Sequence, residues 1–444
     1  MMRSLAFLLT GNVISAIGSR MSLLALPWFV LATTGSAAKT GIVAAAETIP
    51  YVIVCALGGP LMDRIGMKRA SVSADVLSAL IFTSIPLLHF GPGLSFPALT
   101  GLIALAGMLR GVSDTAKTVL FREAVLASKV NVARATSIND GLNRLSTLLG
   151  APLGGLLIAA TDAPTVLLID AATFAVGAII IGLAVRSTLR VPSEEESISY
   201  LDTLRNGWAF IRGDSLIAAI LVLVLFTNLF DAAYSSVLLP LWAAEVVQSP
   251  VALGLTAAFF ASAAVLGNIV FTIVAPYAPR FLLFAVGFLV GGAPRFFAAA
   301  FGEGVWPLYA VSFVAGLGIA AINPILGAVI FERVPGHMQA RVQGLTSAVV
   351  WAGIPVGALL GGWLGEWSVK GAMVICGTGY LLVTLWPFVG TPWRQLTAKV
   401  PVHGVEHAQA DPDGERSGQD LHGLEPGRAP AGVGGAAAAA REHP

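Results

Sequence analysis

Residues 164–185 read PTVLLIDAATFAVGAIIIGLAV, a continuous apolar run with one charged residue, Asp170. A helix rises about 1.5 Å per residue, so roughly 20 such residues cross the hydrocarbon core of a bilayer. The run lacks the period-two alternation of a membrane barrel strand. Backbone groups in lipid must be paired within the segment, so the run reads as a transmembrane helix.

The pattern recurs. Comparable runs lie at Leu5–Leu31, Thr40–Met62, Ala70–Phe90, Phe96–Val119, Ser137–Ala160, Leu216–Ala243, Val251–Ala275, Arg280–Ala300, Val305–Ile330, Gln343–Trp367 and Gly371–Gly390. With Pro164–Val185 that makes twelve. Hydrophobic residues are 56% of the chain and charged residues 11%, with a mean hydropathy of +0.81. A soluble domain carries roughly 25% charged residues. The expected fold class is all-α integral membrane. A cleaved leader is the rival reading for the N-terminus, since Arg3, Leu5–Ile17 and Ala16-Ile17-Gly18 mimic its regions. Cleavage there would leave Met21–Leu31, too short to span, so the first helix is kept.

Net charge of +1 argues against nucleic acid. Cys55 and Cys376 sit inside apolar runs and read as packing residues. The histidines show no metal-ligand spacing, and no Gly-x-x-x-x-Gly-Lys phosphate loop is present. Neither an enzyme, nor a cofactor, nor a metal is expected.

An even number of spans puts both termini on one side. Arg64, Lys68, Arg69, Arg122, Lys129, Arg134, Arg205, Arg212, Arg280, Arg333 and Arg341 lie on that side, against Lys39 and Lys370 on the other. The positive-inside rule makes the termini cytoplasmic. The polar stretch 186–215, with Glu194-Glu195-Glu196, divides the spans six and six. Expected units are 1–185 and 216–394, joined by that linker and followed by a disordered cytoplasmic tail, 395–444. The halves also repeat. Gly154-Gly155 follows Arg134 as Gly361-Gly362 follows Arg341, and Phe121-Arg122-Glu123 parallels Phe331-Glu332-Arg333. Two related bundles flanking a site are a transporter plan.

Between the second and third spans stands Gly59-Pro60-Leu61-Met62-Asp63-Arg64-Ile65-Gly66-Met67-Lys68-Arg69. Gly59 permits close helix approach, Asp63 and Arg64 put opposite charges at the membrane edge, Gly66 permits a tight turn, and Lys68 and Arg69 hold the loop in the cytoplasm. This stretch resembles the signature loop of the major facilitator superfamily, in which it helps close the cytoplasmic face. The resemblance implies twelve helices in two pseudo-symmetric six-helix bundles around a central cavity. The counterpart Pro276-Tyr277-Ala278-Pro279-Arg280 lacks the acidic residue, so one such latch is expected. Gly35-Ser36, Ser73-Ala74-Asp75, Asp170-Ala171-Ala172-Thr173-Phe174, Gly353-Ile354-Pro355-Val356-Gly357 and Gly361-Gly362 point more finely to the bacterial drug and macrolide efflux branch, which are proton antiporters. Gly150-Ala151-Pro152-Leu153-Gly154-Gly155 resembles the antiporter motif of the fifth span, with its proline one place late.

Ionisable groups inside a membrane are functional candidates. Asp75, Asp140 and Arg144 are shallow and read as gate structure, and Asp170 reads as one member of a structural pair. Arg110, Asp114 and Lys117 share a face of the fourth span. Arg110 matches an arginine common in the superfamily's antiporters, with an internal ion pair as the alternative. In the seventh span Thr227, Asn228, Asp231, Tyr234 and Ser235 share a face, parallel to Asn12, Ser15, Ser19 and Ser22 in the first. The resemblance places the first, fourth, seventh and tenth helices around the cavity. Asp231 is a candidate proton or substrate group, or else a partner of Arg20 or Arg295. Glu47 is a candidate on the same logic, or a partner of Arg20.

The expectation is a secondary transporter in a bacterial inner membrane, working as a monomer and exporting an amphipathic small molecule in exchange for protons. Uptake or facilitated diffusion of a metabolite stands as the alternative, and a non-transporting receptor or scaffold as the alternative class.

Overall fold

The computed structural model describes residues 2–58, 62, 64–128, 130–185, 200–275, 277–335 and 338–396. Twelve helices are long and apolar enough to cross a membrane. They are α1 (Met2–Thr34), α2 (Ala37–Leu57), α3 (Met67–Phe90), α4 (Phe96–Ser128), α5 (Val132–Ala160) and α6 (Ala163–Ala184). The second set is α7 (Ser215–Val247), α8 (Pro250–Val274), α9 (Arg280–Phe301), α10 (Trp306–Arg333), α11 (Gln339–Gly365) and α12 (Val369–Val389). Short polar residues start several of them. Ser36 accepts from the Lys39 amide, Asp162 from Thr165, Asp214 from Leu216 and Ile217, and Ser368 from Gly371, each satisfying an amide with no partner inside the helix. The helix α4 continues about two turns beyond the apolar run expected from sequence, and Leu120 and Val125 of that extension are buried.

The two sets of six pack alike. In the first, α1 lies on α5 and α6, α2 on α4, and α3 on α6; in the second, α7 lies on α11 and α12, α8 on α10, and α9 on α12. The sets meet through α2 against α11 and α5 against α8, a pairing that also obeys the repeat. The repeated glycine pairs explain how. A Cβ on Gly154 would stand 3.0 Å from Met21 Cα of α1, and one on Gly361 would stand 2.9 Å from Ala233 Cα of α7, both within their own sets. Their neighbours cross between sets. A Cβ on Gly155 would stand 2.7 Å from Pro250 O of α8, and one on Gly362 would stand 2.9 Å from Ala37 O of α2. Small residues let backbones touch where lipid offers no hydrophobic drive.

Two findings refine the expected boundaries. Within the stretch read as a linker, Tyr200–Gly213 is a helix whose Ile211 is buried with Ile217, Leu221, Val334 and Val342. Residues 186–199, with the acidic run, lie outside the described residues. Past α12, Trp393 and Leu396 are buried against Phe284 and Leu216, and Gln395 donates to Ser215 Oγ and accepts from Arg333. Gln395 and Leu396 therefore pack with the second set rather than opening the tail, because the indole of Trp393 anchors this turn. The rest of the expected tail, 397–444, lies outside the described residues.

Candidate functional site

A cavity of about 410 Å³ opens between α1, α4, α5 and α6. That size suits a drug-like solute. Its lining runs from Arg20 and Arg110, midway along their helices, to Leu8, Leu9, Phe121 and Asn139, so it reaches the end of the bundle where α1 begins. The walls mix Asn12, Ser15, Ser19, Ser113, Asn139 and Asn143 with Leu8, Leu9, Phe121 and Phe174. The opposite end is where the glycine crossings of α2 with α11 and α5 with α8 lie. There Glu366, beyond α11, accepts from Ser36 Oγ at 3.1 Å and from the Ala38 amide at 2.9 Å, tying the start of α2 to the second set.

At the inner limit of the cavity stands a charge cluster. Arg110 donates to Glu47 Oε1 at 3.1 Å, and its Nε lies 3.9 Å from Asp114 Oδ2. Tyr51 donates to Asp114 Oδ2 at 3.3 Å, and the Arg110 guanidinium sits 5.8 Å from the Tyr51 ring centre. The other face of this ring matters more. Tyr51 stacks on Trp351 of α11, with centroids 5.5 Å apart and planes 10° apart. One aromatic side chain thus touches both the charge cluster and the opposite set of helices. Gly107 makes the α2–α4 approach possible, since a Cβ there would collide with the Glu47 carbonyl.

A second pair is deeper. Asp75, fully buried, lies 2.9 Å from Lys117 Nζ and accepts from Ser113 Oγ at 2.6 Å, while Lys117 also donates to Ser15. Sequence spacing groups Arg110, Asp114 and Lys117; the structure sends Arg110 to α2 and Lys117 to α3 and α1. Glu47 takes Arg110 as its partner and not Arg20, which lines the cavity instead. Asp170, expected in a structural pair, accepts from hydroxyl groups among the described residues: Ser22 Oγ at 2.5 Å and Thr173 Oγ1 at 3.1 Å.

In the second set, Arg295 donates to Asp231 Oδ1 at 2.6 Å, with its guanidinium 5.1 Å from the Tyr234 ring and 5.0 Å from the Phe260 ring. The break of α9 at Gly292 positions this arginine, because the Tyr380 ring occupies the space a Cβ would need there. Asn228 donates to the Val350 carbonyl of α11. Neither Asn228 nor Asp231 is in the wall of the 410 Å³ cavity, which the first set alone supplies.

Of the signature loop, Gly59 and Asp63 lie outside the described residues. Gly66 has φ of 91°, a left-handed conformation that other residues adopt at a cost, as its turn role requires. Arg64 and Arg69 are exposed, Lys68 is half-buried in the first turn of α3, and Met62 is buried against Ala70 and Ala116. Asn139 and Asn143 escape the sequence reading. Their spacing of four was a usable signal, masked by the charged neighbours Asp140 and Arg144.

Residues 8–277 and 221–412 match the family model for the Major Facilitator Superfamily. Multidrug efflux pump Tap of Mycobacterium tuberculosis (strain ATCC 25618 / H37Rv) is 27% identical over 365 residues, covering 81% of this chain and 87% of its own length. Macrolide efflux protein A of Streptococcus pyogenes is 21% identical over 384 residues, covering 82% and 92%. The crystal structure of nucleoside transporter NupG superposes with a TM-score of 0.68 at 13% identity, covering 88% of this chain and 98% of that one. That likeness concerns the fold.

Proposed function

Because this chain belongs to the major facilitator superfamily and is a multi-pass membrane transporter, not an enzyme, we propose that it exports amphipathic small molecules, antibiotics among them, in exchange for protons. The relatives named as multidrug and macrolide efflux proteins support the direction and the substrate class. The mixed polar and apolar walls support an amphipathic solute. One observation carries the coupling: Tyr51 joins the Glu47–Arg110–Asp114 cluster to Trp351 across the α2–α11 contact.

The mechanism follows from charge balance. Arg110 bridges Glu47 and Asp114, and Arg20 lines the same cavity, so two arginines face two carboxylates and a proton added to either carboxylate shifts that balance. A solute in the cavity meets Arg110 and Asp114 directly, so it competes with the proton for the same groups. Occupancy of the cluster moves Tyr51, and Tyr51 sets whether Trp351 stays stacked. The units 1–185 and 216–394 then rock about their contacts, and the Ser36–Glu366 bond breaks as the opposite end opens. The signature loop, with Gly59, Asp63, Arg64, Gly66, Lys68 and Arg69, latches the cytoplasmic end in that second state. A ligand biases such an equilibrium only through differential affinity for its two states. Cavity and cluster are complete within one chain, so a monomer suffices.

Everted vesicles from an efflux-deficient bacterial host test the reading. With an acid interior, ethidium and erythromycin are expected to accumulate, and nigericin is expected to abolish the accumulation. Equilibration without a gradient would indicate facilitated diffusion, and no movement of any solute would indicate a receptor or scaffold. Orientation has its own check. The basic residues place both termini in the cytoplasm, so a reporter active only in an oxidising periplasm, fused after Leu396, is expected to stay silent. An active reporter would invert the topology.

A further inference from the structure

We propose that Asp170 is a proton-binding site of the transport cycle, holding its proton behind Arg110 beside a small chamber that shares Ser19 and Arg110 with the wall of the solute cavity. The assignment rests on the proton-coupled reading above and adds the group that carries the proton.

Asp170 differs in surroundings from the paired carboxylates deep in the helices, and unlike the exposed Asp140 and Glu245, unpaired among the described residues, it is buried. Glu47 and Asp114 share Arg110, Asp75 has Lys117, and Asp231 has Arg295, each within 4.0 Å. Asp170 is 0% exposed, and among the described residues it is in none of the ion pairs. An isolated ionised carboxylate in a low-dielectric interior is so unfavourable that the group takes up a proton instead.

The hydroxyl partners can accommodate the protonated acid. Thr173 has a single hydroxyl hydrogen. Its shorter contact is with the Asp170 carbonyl oxygen, 2.8 Å away, and its longer one is with Asp170 Oδ1 at 3.1 Å. If Thr173 donates to the carbonyl, the hydrogen between it and Oδ1 belongs to the carboxyl group, which then donates to Thr173 Oγ1. Ser22 donates to the other oxygen, Oδ2, at 2.5 Å. Once the proton leaves, Thr173 can turn its hydrogen to Oδ1 and Ser22 keeps Oδ2, so the same two hydroxyls serve the acid in both its protonated and its ionised form. The site is also built for close approach: Gly18 of α1 faces it, and a Cβ there would collide with Thr173 Oγ1 and Asp170 Oδ1.

The proton has a way out. A cavity of about 20 Å³ adjoins Asp170; Ser19, Ser22, Glu47 and Arg110 supply its polar groups, and apolar side chains such as Leu26, Phe82 and Phe174 supply the rest. That volume holds about one water molecule. Ser19 and Arg110 also line the large cavity, so one layer of side chains separates Asp170 from the solute. The charged groups facing the chamber are Glu47 and Arg110. When Asp170 gives its proton to water in the chamber, the new carboxylate faces Arg110, which then serves Asp170 and Glu47 alternately. Release of the proton and rearrangement of the cluster touching Tyr51 become one event.

Infrared difference spectroscopy on the purified protein in lipid tests the site without transport. The wild type is expected to show the carbonyl stretch of a protonated carboxylic acid that responds to bulk pH, and Asp170→Asn is expected to lose it. Ser22→Ala, which removes one hydrogen bond, is expected to shift the band; this variant decides the matter if Asp170→Asn does not assemble. A band that survives in Asp170→Asn, or is unmoved in Ser22→Ala, overturns the assignment. In vesicles, the ratio of pH-driven accumulation to solute exchange is expected to fall roughly 5- to 150-fold in Asp170→Asn, the range of a typical coupling free energy. An unchanged ratio also overturns it. Should the wild type show no pH-driven transport, the antiport reading fails, while the infrared band still reports separately on whether Asp170 holds a proton.

Discussion

Asp231→Asn is expected to destabilise the protein by about 3–5 kcal/mol, the usual cost of stranding one partner of a buried ion pair. Arg295 is 8% exposed, and its Nε has no hydrogen-bond partner among the described residues. With Asp231 neutral, the guanidinium keeps only the faces of Tyr234 and Phe260, which offset part of the loss. The double variant Asp231→Asn with Arg295→Met removes the stranded charge and is expected to recover more than half of the lost stability. Thermal unfolding of the three variants in one detergent checks this. A double variant as unstable as the sum of the singles would show that the two residues are not coupled. Sequence leaves two readings of Asp231 open, a proton group or a partner of an arginine. The 2.6 Å pair, set outside the wall of the cavity, favours the second. The double variant separates them further: a stable protein that still exports in response to a pH gradient cannot depend on Asp231 for its proton.

The fold was legible because lipid enforces a one-dimensional rule. Each crossing needs its own long apolar run, so Pro164–Val185 announces a helix without help from any other segment. The repeat was legible for a related reason: Gly154-Gly155 and Gly361-Gly362 do the same packing job twice, so their spacing to Arg134 and Arg341 is kept. Charge pairing was not legible. Glu47 could reach Arg20 or Arg110 by depth alone, and the choice falls to Arg110 because Gly107 brings α4 against α2, a lateral fact that periodicity does not encode. Lys117 shares the cavity wall with Arg110 and Asp114, yet its ammonium reaches sideways to Asp75 and Ser15, partners on other helices that periodicity does not show. For Asp170 the sequence announces a structural pair without naming the partner. Its real partners, Ser22 and Thr173, are common small residues, and only the missing side chain of Gly18 hinted at close contact there. The end of the fold was misplaced by two residues because Gln395 and Leu396 look like the polar tail, whereas the buried indole of Trp393 holds them down.

Arg110 is expected to be the most sensitive position for transport. It reaches Glu47, Asp114 and the Tyr51 ring at once, a job for a planar fork of donors that a lysine ammonium does not reproduce. In Arg110→Lys, pH-driven export is expected to fall roughly 5- to 150-fold, the size of a typical coupling free energy. Arg110→Met is expected to be worse, because Glu47 and Asp114 lose the cation they share and the Tyr51 ring loses the guanidinium beside it. The decisive measurement concerns Trp351, which Tyr51 links to Arg110. If the cluster acts on the α2–α11 contact through Tyr51, then Arg110→Lys and Trp351→Leu strain the same element. Their effects on export, as activation free energies, are then expected to depart from additivity by more than about 0.5 kcal/mol. Tyr51→Phe keeps the ring stack and drops only the hydroxyl contact with Asp114, so it is expected to do less harm than Trp351→Leu. Additive effects of Arg110→Lys and Trp351→Leu would mean that Tyr51 merely fills space, and that the proton and the gate are joined elsewhere.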